Sequence, residues 1–327
     1  MKTPAQLETI LRRGFAGIDE PAQEFRVKIA KAEYMKIRAR YGFSSLGTLL
    51  SGDISKLQKS DGVNLGLAFP PAVSSHVANV CAFAGDCAAT CVAFSGNGGF
   101  STTQAVRAAR LDFAIEQPLF FAVLLWEELR KATQSDTYAV AVRLNTYSDI
   151  RWERVAPKLF EYFSRSTFYD YTKHPQRSRP AHTLPSNYRL TYSLSEKTTA
   201  AEFARNIDAG RNVAAVVAIR SGSVPAWREI PSTFAGLPTV DGDQTDARHL
   251  DPSGVVVLLR RKHTLKASSG LIAGAAVIAD QYLKAAANRS GSARPVSASP
   301  HLGESSQAAA AVNDGAARSR KRRGEAQ

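Results

Sequence analysis

Three cysteines, Cys81, Cys87 and Cys91, are the only ones in the chain, and they fall within eleven residues at the spacing C-x5-C-x3-C. Thiolates are soft donors that suit zinc, copper(I) or iron–sulfur centres. Three in one loop leave a fourth position open or filled from elsewhere, and an iron–sulfur cluster with one non-cysteine iron needs this number. Zinc would need a further ligand, for which His76 is the nearest candidate, and the spacing is not the paired C-x-x-C of common zinc sites. The alternative is that all three are small buried core residues, since free cysteine packs well in apolar surroundings. The gathering of every thiol into one short stretch favours metal.

Other groups with chemical potential lie further along. Residues 143–152 read RLNTYSDIRW and bring together an amide (Asn145), a hydroxyl (Ser148) and a carboxylate (Asp149), a set suited to holding an amino acid or a sugar hydroxyl; Asp149 could equally cap the helix that follows. Residues 168–174 read FYDYTKH. Tyr169 and Lys173 have the Y-x-x-x-K spacing of replication nickases, without the H-x-H that usually holds their metal. Strand alternation puts Tyr169 and Tyr171 on one face and Asp170 on the other. Tyr171, Lys173 and Asp149 are the catalytic candidates, Asn145, Ser148, Ser193 and Ser195 the cofactor-binding ones. Lys173 with Arg177 and Arg179 offers phosphate contacts, as do Lys56 and Lys59, although solvated lysines are the commoner case. The carboxylates of residues 240–246 and Asp251 could hold a divalent cation, but the loop lacks the EF-hand pattern and reads more simply as a solvated acidic loop.

The elements that position these groups follow from periodicity. Alternating apolar residues predict a strand over 63–69, leading into the thiol loop and then the glycine-rich turn at 96–99. A helix is expected over 102–133, broken or kinked at Pro118, with Leu111, Ile115, Leu119, Leu124 and Trp126 as core. Strands are expected at 137–144, 167–172, 188–193, 212–219 and 254–259, and helices at 152–163 and 200–209. Strand and helix alternate at least four times, the signature of a parallel sheet with crossover helices. No G-x-G-x-x-G follows the first strand, so a parallel βα barrel or partial barrel is expected rather than an open dinucleotide-binding sheet. In such folds the functional groups sit on loops leaving the carboxyl ends of strands. That rule gathers the thiols, Asn145/Ser148/Asp149, Tyr171/Lys173/His174, Ser193/Ser195/Glu196 and Asp241/Asp243 at one mouth.

Residues 1–45 read as a charged N-terminal helical extension, with Thr3 as cap and Pro4 at the first helical position. Residues 46–285 form the βα domain. Residues 286–327, rich in Ser, Ala, Gly and Arg and ending in Ser319-Arg-Lys-Arg-Arg323, read as a disordered basic tail. The net charge of +13 on 327 residues favours polyanion partners, nucleic acid above all. From Arg289 onward there are seven Arg/Lys against three Asp/Glu, so most of the excess belongs to the folded part. Three cysteines cannot all pair and no secretory signal pattern precedes them, so a reduced, cytoplasmic compartment is expected. No apolar run has the length of a membrane span. Oligomeric state is not encoded in any of these features.

Several segments together resemble a family of largely uncharacterised phage and plasmid proteins. They are the thiol loop, R-L-N-x-x-S-D-I-R-W, F-Y-D-Y-T-K, residues 187–195, and V-D-G-D-x-x-D-x-R-x-x-D-P-x-G-V-V-V, in that order between about residues 46 and 270. The broader pattern is similar to radical SAM enzymes, in which a three-cysteine loop follows the first strand of a βα barrel. Their loop is C-x3-C-x2-C with an aromatic before the last cysteine, where this chain has Thr90. The resemblance implies an iron–sulfur cluster on Cys81, Cys87 and Cys91, with Asn145, Ser148 and Asp149 helping to bind S-adenosylmethionine. Two other functions fit the same residues: a DNA-binding replication protein without a cluster, nicking through Tyr169 or Tyr171, and a non-enzymatic interaction protein with structural zinc.

Overall fold

A computed structural model describes residues 1–52, 63–134, 139–179, 183–220, 230–261 and 270–290. Lys56, Lys59 and the basic tail beyond residue 290 lie outside the described residues. A short strand, β1 (Leu50–Ser51), pairs antiparallel with β2 (Val63–Leu67). From there β3 (Val140–Arg143), β4 (Thr167–Thr172), β5 (Tyr188–Ser193) and β6 (Val213–Arg220) add one beside the next in chain order, every pair parallel. A hairpin of β7 (Thr233–Phe234) and β8 (Leu237–Asp241) follows, and β9 (Val256–Arg261) enters between β6 and β8, parallel to both. The result is a mixed α/β fold around a nine-stranded, mostly parallel sheet in the order β1-β2-β3-β4-β5-β6-β9-β8-β7.

The two faces of this sheet differ sharply. Val140, Val142, Phe168, Tyr188 and Leu190 point outward into one large core with the helices, and Tyr192, Val213, Ala215, Val256 and Leu258 into a second. The alternate residues, Ala141 and Tyr169 among them, lie on the other face in a separate small cluster. Parallel strands laid down in chain order, with crossovers of one hand, put every crossover on the same side. The opposite face is thereby left for side chains other than a helix-covering layer. Arg143, Tyr171, Val216 and Leu259 line a cavity there.

The long helix expected over 102–133 is two helices, α3 (Ser101–Glu116) and α4 (Pro118–Ala132), because Pro118 has no N–H to continue the first and suits the first turn of the second. Leu111, Leu124 and Trp126 are buried as expected, whereas Leu119 is exposed on the first turn of α4. The helix expected over 152–163 is likewise split at a proline, into α5 (Trp152–Val155) and α6 (Pro157–Tyr162). A further helix, α7 (Ala200–Asp208), starts with a capping box between Thr199 and Glu202.

The N-terminal helices correct the sequence expectation. Helices α1 (Pro4–Phe15) and α2 (Glu24–Ala39) do not form a surface extension. Leu7, Leu11, Ala30 and Tyr34 are completely buried, in the same core as Phe113, Phe121, Trp126 and Val142. Gly14 permits this approach, because a Cβ there would fall 2.3 Å from the Pro118 carbonyl oxygen. One compact unit therefore runs from Met1 to Ala286, with no boundary near residue 45. A second unit begins at Ala287, and α8 (Gly270–Ser290) extends into it.

Candidate functional site

The chain leaves β2 at its carboxyl end and forms the thiol loop as a series of short 3-10 turns, Gly85–Thr90, Val92–Phe94 and Gly96–Gly99. Cys81, Cys87 and Cys91 all line one cavity, together with Asn145, Ser148, Asp149, Tyr171, Lys173 and Ser193. The loop is fastened to the neighbouring strand ends. Asp149 N–H donates to Val80 O (2.9 Å), and the Cys81 thiol donates to Tyr147 O (3.3 Å). Phe83 packs its ring 4.5 Å from that of His174. Burial pushes the Cys81 thiol well above its ordinary range and the Cys91 thiol up to about 11. His76, the zinc-ligand candidate, is exposed and does not line this cavity.

The loop after β3 is a closed hydrogen-bond network. Asn145 Oδ1 accepts from Ser148 Oγ (2.8 Å), Ile150 N (2.9 Å) and Trp152 Nε1 (3.2 Å), while its Nδ2 donates to Ile150 O (2.9 Å) and Asp170 Oδ2 (3.1 Å). Its amide is thus fully used in holding the loop. Asp149 ties β3 to β4: Oδ1 accepts from Thr172 Oγ1 (2.8 Å) and Arg177 Nη1 (3.1 Å), and Oδ2 from Lys173 N (2.8 Å). It does not cap the next helix, whose N-cap position is Arg151. Arg177 is fully buried and also binds Glu153 and Tyr188 Oη, so it is a structural cation and not a phosphate contact.

Lys173 reaches across to the end of β5. Its Nζ donates to Ser193 Oγ (2.7 Å) and Leu194 O (2.9 Å). Burial lowers the ammonium pKa, against the opposing pull of Cys87, Asp149 and Glu196. Ser195 is buried beside this contact, where its Oγ accepts from Lys197 N (3.3 Å) and lies 3.2 Å from Thr198 Oγ1. Glu196 Oε1 accepts from Asp86 N (3.3 Å) in the thiol loop. Tyr169 is on β4 and Lys173 just past its end, so the Y-x-x-x-K pair is in extended chain and stands roughly 13 Å apart at the usual strand rise. Tyr169 is buried, while Tyr171 lines the cavity under the guanidinium of Arg143 (5.0 Å), its phenol pushed up to about 12 by burial.

A larger lobe of about 780 Å³ adjoins the thiol lobe. Arg107, Arg110, Arg143 and Arg260 line it, with Asp243 and Asp246. The acidic loop at 240–246 is not a cation site, because Asp241 and Asp243 are occupied by the Arg260 guanidinium at 2.7 and 3.6 Å.

Comparison with protein families matches residues 47–275 to the family described as Gene product 88. The chain belongs to the Gene product 88 family. This is a phage-type family without an assigned activity. No curated protein and no solved structure matches the chain. Within the Gene product 88 region lie all residues lining both lobes, whereas α1 and α2 precede it.

The thiols, Asn145, Ser148, Asp149, Tyr171, Lys173 and Ser193 are therefore brought together in that region. Ser195 and Glu196 stand behind the wall. The residues missed from sequence are the arginines: Arg107 and Arg110 sit on α3, where they look like a solvated helix face. Arg143 was readable in principle, since strand alternation places it on the same face of the sheet as Ala141.

Proposed function

We propose that this chain is an enzyme whose Cys81, Cys87 and Cys91 hold a metal centre of iron–sulfur type at the mouth of a partial βα barrel, with S-adenosylmethionine as cosubstrate and nucleic acid as the substrate class. The observation that carries this reading is that all three thiols line one cavity with Asp149, Tyr171 and Lys173. The barrel reading is supported by the chain-order parallel strands and by a cavity walled from both the β1–β3 side and the β6–β9 side. The net charge of +13 supports a polyanionic substrate.

The donor types fit a soft metal, but their spacing is not that of a formed site: among the described residues no three His, Cys, Asp or Glu side chains are close enough to hold an ion. Cys87 lies on a 3-10 turn and Cys91 at the junction of two, so a rearrangement of these turns would have to close the set. Binding would also replace the protons that burial favours on Cys81 and Cys91. When bound, an iron–sulfur cluster supplies one-electron chemistry. The protein's own contribution is positional. Asn145 and Ser148 brace the loop facing the thiols, and Lys173 fixes the end of β5 beside them.

Anaerobic reconstitution with iron and sulfide tests the proposal. The expected result is a brown protein with stoichiometric iron and sulfide, both lost in Cys87→Ala. A colourless, iron-free product overturns it, and stoichiometric zinc instead selects an interaction protein with structural zinc. The high charge also favours a second reading, a DNA-binding replication protein without a cluster. That reading expects metal-independent DNA binding that weakens steeply with salt. Its nicking variant rests on Tyr171, since Tyr169 is buried.

A further inference from the structure

The thiol lobe and the larger lobe share one seam, formed by Arg143, Thr146, Tyr147, Tyr171, Val216 and Leu259. The arginines around the larger lobe are not equivalent. Arg107 donates to Ala93 O (2.8 Å) and Gly98 O (3.2 Å), and Arg110 donates twice to Thr48 O (3.2 and 2.9 Å). Arg260 is held by Asp241. Arg143 differs: its guanidinium lies over the Tyr171 ring, and its Nε is buried with no hydrogen-bond partner among the described residues. Thr146 Oγ1, on the same seam, is also buried without one.

A buried donor left unpaired costs about 1–3 kcal/mol, so native proteins seldom keep one without a use. Two such groups on the wall of one cavity mark a place where a ligand supplies the acceptor. A guanidinium placed over an aromatic ring keeps its planar fork of N–H groups, which matches the oxygens of phosphate or carboxylate. We propose that the seam is an oxyanion subsite, in which Arg143 and Thr146 bind the phosphate or carboxylate group of a small ligand whose remainder fills the larger lobe. The lobe's volume suits a ligand of nucleotide size. The inference rests on reading this cavity as a ligand site, but not on a metal at the thiols.

Isothermal titration of the full chain with AMP, inorganic phosphate and succinate, at constant ionic strength, tests it. Saturable one-site binding is expected for a phosphate or a carboxylate probe, and the three together show which oxyanion is preferred. Binding should weaken by about tenfold or more in Arg143→Gln, the loss of a hydrogen bond to a charged group, and measurably in Thr146→Val. Absence of saturable binding by any probe overturns the proposal, as does unchanged affinity in both variants. Should the variants not fold, phenylglyoxal labelling of the wild-type chain decides: Arg143 protected by the bound probe supports the subsite, and Arg143 unprotected at saturation overturns it. Titration of the reconstituted wild-type chain separates the two readings. A colourless, iron-free protein that still binds the probe loses the metal and keeps the subsite, and a brown protein that binds none does the reverse.

Discussion

Arg177 is a wholly buried guanidinium between two carboxylates, Asp149 and Glu153. Its removal leaves both anions in a low-dielectric interior without their cation. Arg177→Met should therefore cost about 3–5 kcal/mol of stability by urea denaturation, and a loss under 1 kcal/mol would contradict the assignment. Asp170 makes a second prediction. It accepts from Asn145 N (2.7 Å) and Tyr188 Oη (2.7 Å), yet burial pushes its carboxyl up to about 7. A folded-state pKa above the unfolded value of about 3.9 means that the native state binds the proton more tightly. The stability Asp170 contributes is full below about pH 4 and is lost as pH rises through 7. Stability should fall between pH 5 and 7 with a slope of at most about 1.4 kcal/mol per unit, and Asp170→Asn should flatten it. Sequence alternation separates Asp170 from Tyr169 and Tyr171 correctly. It gives no sign that Arg177 is internal, because the carboxylates that neutralise it lie 24 and 28 positions away.

Among the elements, the thiol loop makes one of its close approaches just past the end of β5. Gly85 has φ +52°, and a Cβ there would stand 2.0 Å from Glu196 Oε1. Gly85→Ala is strained by its backbone conformation, and relief of the contact, by a shift of the loop or of the Glu196 side chain, loosens the hydrogen bond from Asp86 N. The expected result is several-fold faster reaction of Cys87 and Cys91 with a thiol reagent, with the secondary structure retained by circular dichroism; unchanged rates would show that the contact does not hold the loop. The position of this loop was readable because a strand precedes it and because parallel strands send their functional loops to one rim. The split of the helix at Pro118 was equally readable, since proline acts locally. The contact with Glu196 was not, because it joins residues 110 apart in sequence through a turn that only the folded sheet brings near.

At the scale of the molecule, the parallel βα pattern was evident from alternation, while the place of α1 and α2 was not. Their apolar residues are interleaved with Arg and Lys, and the partner that buries them, α4, lies some eighty residues later. Among the described strands, the order follows the chain as far as β6 and then reverses, so that β9 lies between β6 and β8. During synthesis the β7–β8 hairpin therefore emerges before the strand that joins it to the rest of the sheet. Until residue 261 has left the ribosome, β6 presents a bare edge of backbone donors and acceptors. The site is then open on the side that β9 supplies through Leu259 and Arg260. Stalled chains ending before residue 256 should be cut by protease between residues 213 and 250, and chains extended past 290 should resist. Equal resistance of both would mean that β6 is held by something other than its late-arriving neighbour.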